Sequence, residues 1–364
     1  MEKRVRVLVV DDSSMMRQLL SDLLAVDPEI EVVDTAADPI IAREKIKALN
    51  PDVVTLDVEM PHMDGVTFLR KIMTLRPMPV IMVSTLTQAG AEITLEALEI
   101  GAVDFIAKPT TNIANSMEEI AAELQAKVKA AALTRVRALP AASEATAVRP
   151  AALTRPFKSK EKIVFIGAST GGVEALKVVL LGLPAECPPI LITQHMPPRF
   201  TTAFAERLNR ECLMRVSEAK HNDPVEPNHV YIAPGSHHLE IVHSGNGFHC
   251  RLNDGPTVSG HRPSVDVLFR SAARVIGPRA VGAILTGMGR DGAEGLLEMR
   301  KAGANTIGQD EASSLIYGMP RAAHERGAVM RQVPLARVSD AILEACGDES
   351  ASRASKADRA TVAH

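Results

Sequence analysis

Apolar and polar positions alternate along the chain in two regular series, each reading as a run of strand–helix units. In the first, VRVLVV (5–10) is a short unbroken apolar run, as a strand buried on both faces requires. The segment MMRQLLSDLLA (15–25) after it repeats its apolar positions at helical spacing. The couplet recurs four times: EVVDTA (31–36) before a helix over 40–49, DVVTLD (52–57) before 65–74, PVIMVS (79–84) before 89–100, and VDFIA (103–107) before 115–129. A second series has strands at KIVFIGA (162–168), PILITQ (189–194), HVYIA (229–233), AVGAILT (280–286) and ANTIGQ (304–309). Helices are expected over 172–181, 199–211, 264–276 and 292–302, and LEIVHSGNGFHCRLN (239–253) alternates about a Gly-Asn-Gly turn as a β-hairpin does. The predicted fold class is α/β: two doubly wound parallel-sheet domains, the second larger and carrying the hairpin as an antiparallel insertion.

Between the two series, LTRVRALPAASEATAVRPAALTRPFKSK (133–160) holds three prolines and no sustained period, so it reads as a linker. Its alanines leave a weakly helical tether as the alternative. The expected domains are therefore 1–130 and 161–346, joined by a linker over 131–160. The polar, Ala/Ser-rich segment 347–364 is expected to be a disordered tail.

At 364 residues and 46% hydrophobic, the chain has enough apolar content for two or three real cores, which excludes a largely disordered protein. Apolar runs such as Val178–Leu181 fall far short of the ~20 residues of a membrane span, and the four-residue run Val7–Val10 is no signal peptide. Four scattered cysteines with no CxxC pair argue against a zinc site or a disulfide framework and fit a reducing, cytoplasmic setting. Residues 1–125 carry 11 Lys and Arg against 21 Asp and Glu, residues 126–160 carry 8 against 1, and the remainder carries 22 of each. An acidic module, a basic connector and a neutral module do not form the footprint of a nucleic-acid binder.

Parallel sheets expose their chemistry at the carboxyl ends of strands. In the first series Asp11, Asp12 and Asp57, the hydroxyl of Ser84 and the amine of Lys108 all fall at such ends. Clustered carboxylates suit a hard divalent cation such as Mg²⁺, which would bridge phosphoryl oxygens while Asp57 accepts the phosphoryl group. Five such residues at successive strand ends, with the Lys108–Pro109 dipeptide, resemble the receiver domain of two-component response regulators over residues 4–125, a flavodoxin-like fold. The resemblance implies that Asp57 is the phosphorylated aspartate and that Asp11 and Asp12 bind Mg²⁺ with it. It further implies that Ser84 is the switch hydroxyl, Lys108 the phosphate-binding lysine, and Phe105 the reorienting aromatic, here without a phenolic hydroxyl.

In the second series, GASTGG puts Ser169 on a strand-to-helix turn beside free helix N–H groups. Alone, this reads as a phosphate loop, a nucleophile turn or a plain tight turn, although its G-x-x-x-G-G spacing misses the dinucleotide fingerprint. His195 ends the next strand, and Asp291 follows a later one in a Gly-rich loop at a helix N-terminus. Ser, His and Asp at the ends of parallel strands meet the positional requirement of a catalytic triad. Their order and the absence of G-x-S-x-G disfavour the α/β-hydrolase family. His237 and His238 are adjacent and read as a solvated turn, and no metal-binding His/Cys spacing occurs.

The segments GASTGG, TQHMPPRFT, APG and LTGMGRDGAEG resemble the methylesterase domain of the CheB family of chemotaxis receptor-glutamate methylesterases, and the receiver–linker–effector order agrees. That resemblance implies hydrolysis of glutamyl methyl esters, and deamidation of glutamines, on methyl-accepting chemotaxis receptors. Ser169 would be the nucleophile, His195 the base and Asp291 its orienting acid, with backbone N–H groups of the Met288 loop and Thr170 facing the oxyanion. The pathway's histidine kinase would be the phosphodonor, the ester chemistry would need no cofactor, and a monomer without membrane insertion is expected. Phosphorylation at Asp57 would relieve autoinhibition. A response regulator whose second domain only binds a partner or nucleotide is the competing class.

Overall fold

The computed structural model describes residues 4–60, 63–108, 117–134, 136, 162–245 and 247–347. Most of the expected linker, the tail beyond Gly347, Pro109 and the middle residue of the hairpin turn lie outside the described residues. The chain divides into two compact units, Met1–Ala147 and Val148–His364.

The first unit runs β1 (Val5–Val10), α1 (Ser14–Ala25), β2 (Ile30–Ala36), α2 (Pro39–Leu49), β3 (Val53–Asp57), α3 (Gly65–Leu75), β4 (Val80–Ser84), α4 (Gln88–Ile100), β5 (Asp104–Ala107) and α5 (Met117–Ala132). The five strands pair in parallel in the order β2-β1-β3-β4-β5. β3 and β4 are buried at every position, as strands covered by helices on both faces must be. Side chains supply several helix starts: Ser13, Asp38, Asp64 and Thr87 each accept a backbone N–H at the N-terminus of α1, α2, α3 and α4.

The second unit runs β6 (Ile163–Ala168), α6 (Gly172–Leu181), β7 (Ile190–Gln194), α7 (Phe200–Glu211), β8 (Arg215–Glu218), β9 (His229–Ile232), β10 (His238–Ser244) and β11 (Gly247–Asn253). It continues with α8 (Val265–Val275), β12 (Ala280–Ile284), α9 (Ala293–Lys301), β13 (Asn305–Gln309), α10 (Met319–Glu325), β14 (Arg331–Val333) and α11 (Val338–Ala345). Seven strands form a parallel sheet in the order β14-β13-β12-β6-β7-β9-β8, while β10 and β11 form the expected antiparallel hairpin. The chain moves from β6 outward through β7 and later returns to place β12 on the other side of β6. That reversal makes the carboxyl ends of β6 and β12 the switch point of the sheet, the position where doubly wound sheets bind ligands.

Four elements of this unit are absent from the sequence reading: the edge strands β8 and β14 and the helices α10 and α11. The reading of His238 is also corrected. It lies on β10 with only 2% exposure; its Nε2 is 3.0 Å from the Pro256 carbonyl and its Nδ1 accepts the Ser264 N–H at 3.1 Å. A buried histidine with both ring nitrogens partnered is part of the packing, not a solvated turn.

Candidate functional site

In the first unit the strand-end residues converge at the β1–β3 switch point. Asp57 closes β3 with its side chain fully buried. Lys108, just past β5, holds its ammonium 2.8 Å from Asp57 Oδ2 and 3.3 Å from Asp11 Oδ2. One carboxylate oxygen from each of Asp11, Asp12 and Asp57 lies within 4.8 Å of the others. Burial pushes the Asp57 carboxyl up to about 6 and the Asp11 charge adds to this, while Lys108 pulls the other way. Burial likewise raises Asp11. Burial alone would lower Lys108, but its ion pairs with both aspartates raise it. Crowded, hard oxygen donors of this kind, two buried and the Asp12 one exposed, fit Mg²⁺.

Two further expected residues flank this cluster without joining it. The Ser84 hydroxyl faces α4, 2.8 Å from Thr94 Oγ1 and 3.3 Å from the Gly90 carbonyl, while its own carbonyl accepts the Lys108 N–H. Phe105 is 3% exposed, with the Lys127 ammonium 5.3 Å from its ring centre. Gly65 was not singled out by sequence. A Cβ there would stand 2.0 Å from the Asp57 carbonyl oxygen, so the first turn of α3 closes on Asp57 only with glycine.

In the second unit Ser169 follows β6 directly, and its N–H donates to the Thr286 carbonyl beyond β12, at 3.1 Å. His195 follows β7, and its N–H donates to the Ala168 carbonyl next to Ser169. Gln194 donates from Nε2 to the Ser169 carbonyl at 2.9 Å, tying the two strand ends together. The loop bearing Met288 packs against the serine: a Cβ on Gly287 would come within 2.8 Å of the Ser169 Cβ. Thr170, 5% exposed, accepts the Thr286 hydroxyl on its carbonyl.

Asp291 completes the cluster and is 1% exposed. Its Oδ2 lies 2.8 Å from His195 Nε2 and accepts the Val265 N–H at 2.7 Å. Its Oδ1 accepts the Ser264 hydroxyl at 2.8 Å and the Asp266 N–H at 3.1 Å. The aspartate therefore caps a helix, but α8 rather than the α9 it precedes. Burial alone would raise its pKa; the His195 bond and the helix N–H groups outweigh burial and hold the carboxyl below its usual range. With Nε2 committed to Asp291, the buried His195 Nδ1 has no hydrogen-bond partner. An ionised acid fixes the imidazole with its proton on Nε2 and leaves Nδ1 basic. Sequence reasoning named Ser169, His195 and Asp291 but not Ser264, Gln194 or the N-terminus of α8. The HRPSVD run before α8 was the available signal, a Ser at a helix start.

A flavodoxin-like receiver joined to a larger doubly wound unit with Ser, His and Asp at its switch point defines a response regulator with an α/β effector domain. The comparisons with known proteins agree. The family model for the response regulator receiver domain matches residues 7–121, and that for CheB methylesterase matches 164–342. A Xanthomonas campestris protein named protein-glutamate methylesterase/protein-glutamine glutaminase 1 is 54% identical over 94% of this chain and 98% of its own length. A Caulobacter vibrioides protein of the same name is 59% identical over 94% of this chain and 98% of its own. Among solved structures, the Thermotoga maritima CheB methylesterase catalytic domain aligns with a TM-score of 0.49 at 35% identity, covering 50% of this chain and 97% of that one. The chain belongs to the CheB family of receiver-linked methylesterases.

Proposed function

We propose that this chain is a phosphorylation-regulated serine esterase that hydrolyses glutamyl methyl esters on chemoreceptors and deamidates receptor glutamines, the pair of activities in its relatives' name. The observation that carries the reading is the buried His195 ring, held by ionised Asp291 through Nε2 and basic at Nδ1, beside the Ser169 turn.

In this reading the Ser169 hydroxyl gives its proton to His195 Nδ1 as its oxygen attacks the ester carbonyl. Asp291 stabilises the imidazolium that results. N–H groups of the Met288 loop and Thr170 face the developing oxyanion. The imidazolium then protonates departing methanol, or ammonia from a glutamine. Water, deprotonated by the same ring, attacks the acyl-serine and releases glutamate. The ester chemistry uses no cofactor.

The receiver, over 1–130, is joined by a linker over 131–160 to the catalytic domain over 161–346. Asp57 takes a phosphoryl group from the pathway's histidine kinase. Asp11, Asp12 and Asp57 would hold the Mg²⁺, which when bound offsets the charge of the carboxylates and phosphoryl oxygens. Lys108 binds a phosphoryl oxygen, Ser84 and Phe105 turn to report it, and phosphorylation relieves autoinhibition of a cytoplasmic monomer. Among the described residues no helix is long and apolar enough to cross a membrane.

The test is methanol release from methylated receptor fragments. Ser169→Ala should lower turnover by on the order of 10⁴-fold, because triad members act as a unit. Near-normal turnover in that variant, with the fold intact, refutes the reading and favours an effector domain that only binds.

A further inference from the structure

The Asp291 bond holds His195 at one point of its ring. One hydrogen bond fixes where Nε2 sits and leaves the plane free to tilt about that contact, so it does not aim Nδ1. A second ring settles the plane: His261 stacks on His195 with centroids 3.7 Å apart and planes 16° apart.

His261 is held firmly where it stands. Val258 and His261 exchange backbone hydrogen bonds of 3.0 Å in both directions, closing a two-residue turn. Both central residues, Ser259 at φ 54° and Gly260 at φ 81°, are left-handed, as tight hairpin turns demand. The Arg262 guanidinium then clamps the carbonyls of Asp254 and Gly255, each at 3.0 Å. Two residues on, Ser264 donates its N–H to buried His238 and its hydroxyl to Asp291. The segment from Val258 to Asp266 thus delivers the stacking ring to the base and three hydrogen-bond donors to the acid.

We infer that His261 is a positioning residue for the reaction: its ring face sets the plane of His195 and so aims Nδ1 at the Ser169 hydroxyl. This rests on the esterase reading above. Parallel aromatic faces supply the required restraint, and small misplacements of a reacting group are costly in rate. Any flat ring of similar size at this position should do the same work, because the stacking face and not a proton is what His195 uses.

The experiment measures kcat and KM for methanol release from methylated receptor fragments by the full-length chain, with Ser169→Ala as reference. His261→Ala should lower kcat on the order of tenfold and leave KM within about threefold. His261→Phe should restore most of kcat. Should His261→Ala fail to fold, His261→Leu replaces it, filling the space without a ring face, and must fall well below His261→Phe. Wild-type kcat in the alanine or leucine variant overturns the inference. Equal losses in the phenylalanine and alanine variants also overturn it, since the imidazole's own chemistry would then matter. A change confined to KM overturns it in favour of substrate contact. Activity persisting in Ser169→Ala would instead remove the esterase reading itself, so the two failures are told apart.

Discussion

Asp291→Asn is the substitution whose outcome the geometry fixes most closely. In serine hydrolases of the triad type, the amide can reverse the histidine tautomer and cost about 10⁴-fold. The surroundings of Asp291 oppose that reversal. On the Oδ2 side stand the Val265 N–H and His195 Nε2; on the Oδ1 side stand the Ser264 hydroxyl and the Asp266 N–H. Directed toward Oδ2, an amide NH₂ would meet a backbone N–H and turn His195 over. Directed toward Oδ1, it still meets the Asp266 N–H, but the Ser264 hydroxyl can rotate to accept it. The second orientation keeps the carbonyl on Val265 and His195 and preserves a basic Nδ1.

What is lost is the charge. A hydrogen bond to an ionised partner contributes about 1.5–3 kcal/mol against about 0.5–1.5 for a neutral one. An imidazolium facing an amide instead of a carboxylate should therefore lose about 1–1.5 kcal/mol and cost on the order of 10-fold in kcat, at 1.36 kcal/mol per decade. The Asp266 N–H loses its acceptor, lowering stability by about 1–3 kcal/mol. Turnover on methylated receptor fragments measures the first and denaturant unfolding the second. A variant as inactive as Ser169→Ala would show that the tautomer does reverse and that the donors at the N-terminus of α8 do not control it. Wild-type turnover would show that Asp291 does not assist His195 at all.

With Mg²⁺ and a small phosphodonor the chain should acquire a base-labile acyl phosphate, absent after chelation and absent in Asp57→Asn; undiminished label in that variant would place the phosphoryl group elsewhere. The same variant should stabilise the metal-free first unit at pH 7 by on the order of 1–3 kcal/mol, because the folded pKa of Asp57, raised from 3.8 to about 6, makes its ionised form costly there. The folded state binds the extra proton between those values, so the Asp57 contribution rises as pH falls from 7 toward 5 in the wild type and is missing from Asp57→Asn. Comparison of urea midpoints for the two chains across that range checks the sign.

The sequence showed most of what lies along strands and little of what passes between elements. β3, β4, β6 and β7 are apolar runs buried at every position, and a run of that kind has few other uses. β8 and β14 are edge strands of four and three residues, only partly buried, and carry too few apolar positions to register. Ser169, His195 and Asp291 were legible because strand ends in such sheets carry chemistry. The partners of Asp291 were not, because Ser264, Val265 and Asp266 reach it only through the way α8 lies against the sheet. Periodicity gives the face of a helix and not the strand end its N-terminus meets. The same limit hid His261, and it made His238 look solvated when both its nitrogens serve the packing.

The two units use one architectural position for opposite electrostatic ends. At the switch point of the first, two buried carboxylates stand together near a third, with a single ammonium between Asp11 and Asp57. Negative charge there exceeds what the protein compensates, Asp57 is held up near 6, and the pocket favours an added cation. At the switch point of the second, one carboxylate receives three donors from the start of α8 and a fourth from His195. Asp291 is held below its usual range and stays ionised. An under-compensated aspartate can take a phosphoryl group with a metal's help; one that receives four donors is poorly suited to do so and better suited to orient and steady its neighbour. The number of donors around each carboxylate thus suits Asp57 to the proposed role of acceptor and Asp291 to that of orienting acid. Asp266 adds a contrast within the second unit: beside Asp291 and equally buried, it accepts a Gly295 N–H, yet burial and the Asp291 charge raise its pKa. Of these two, only the aspartate facing both the N-terminus of α8 and His195 is held below its usual range, as its proposed role beside the base requires.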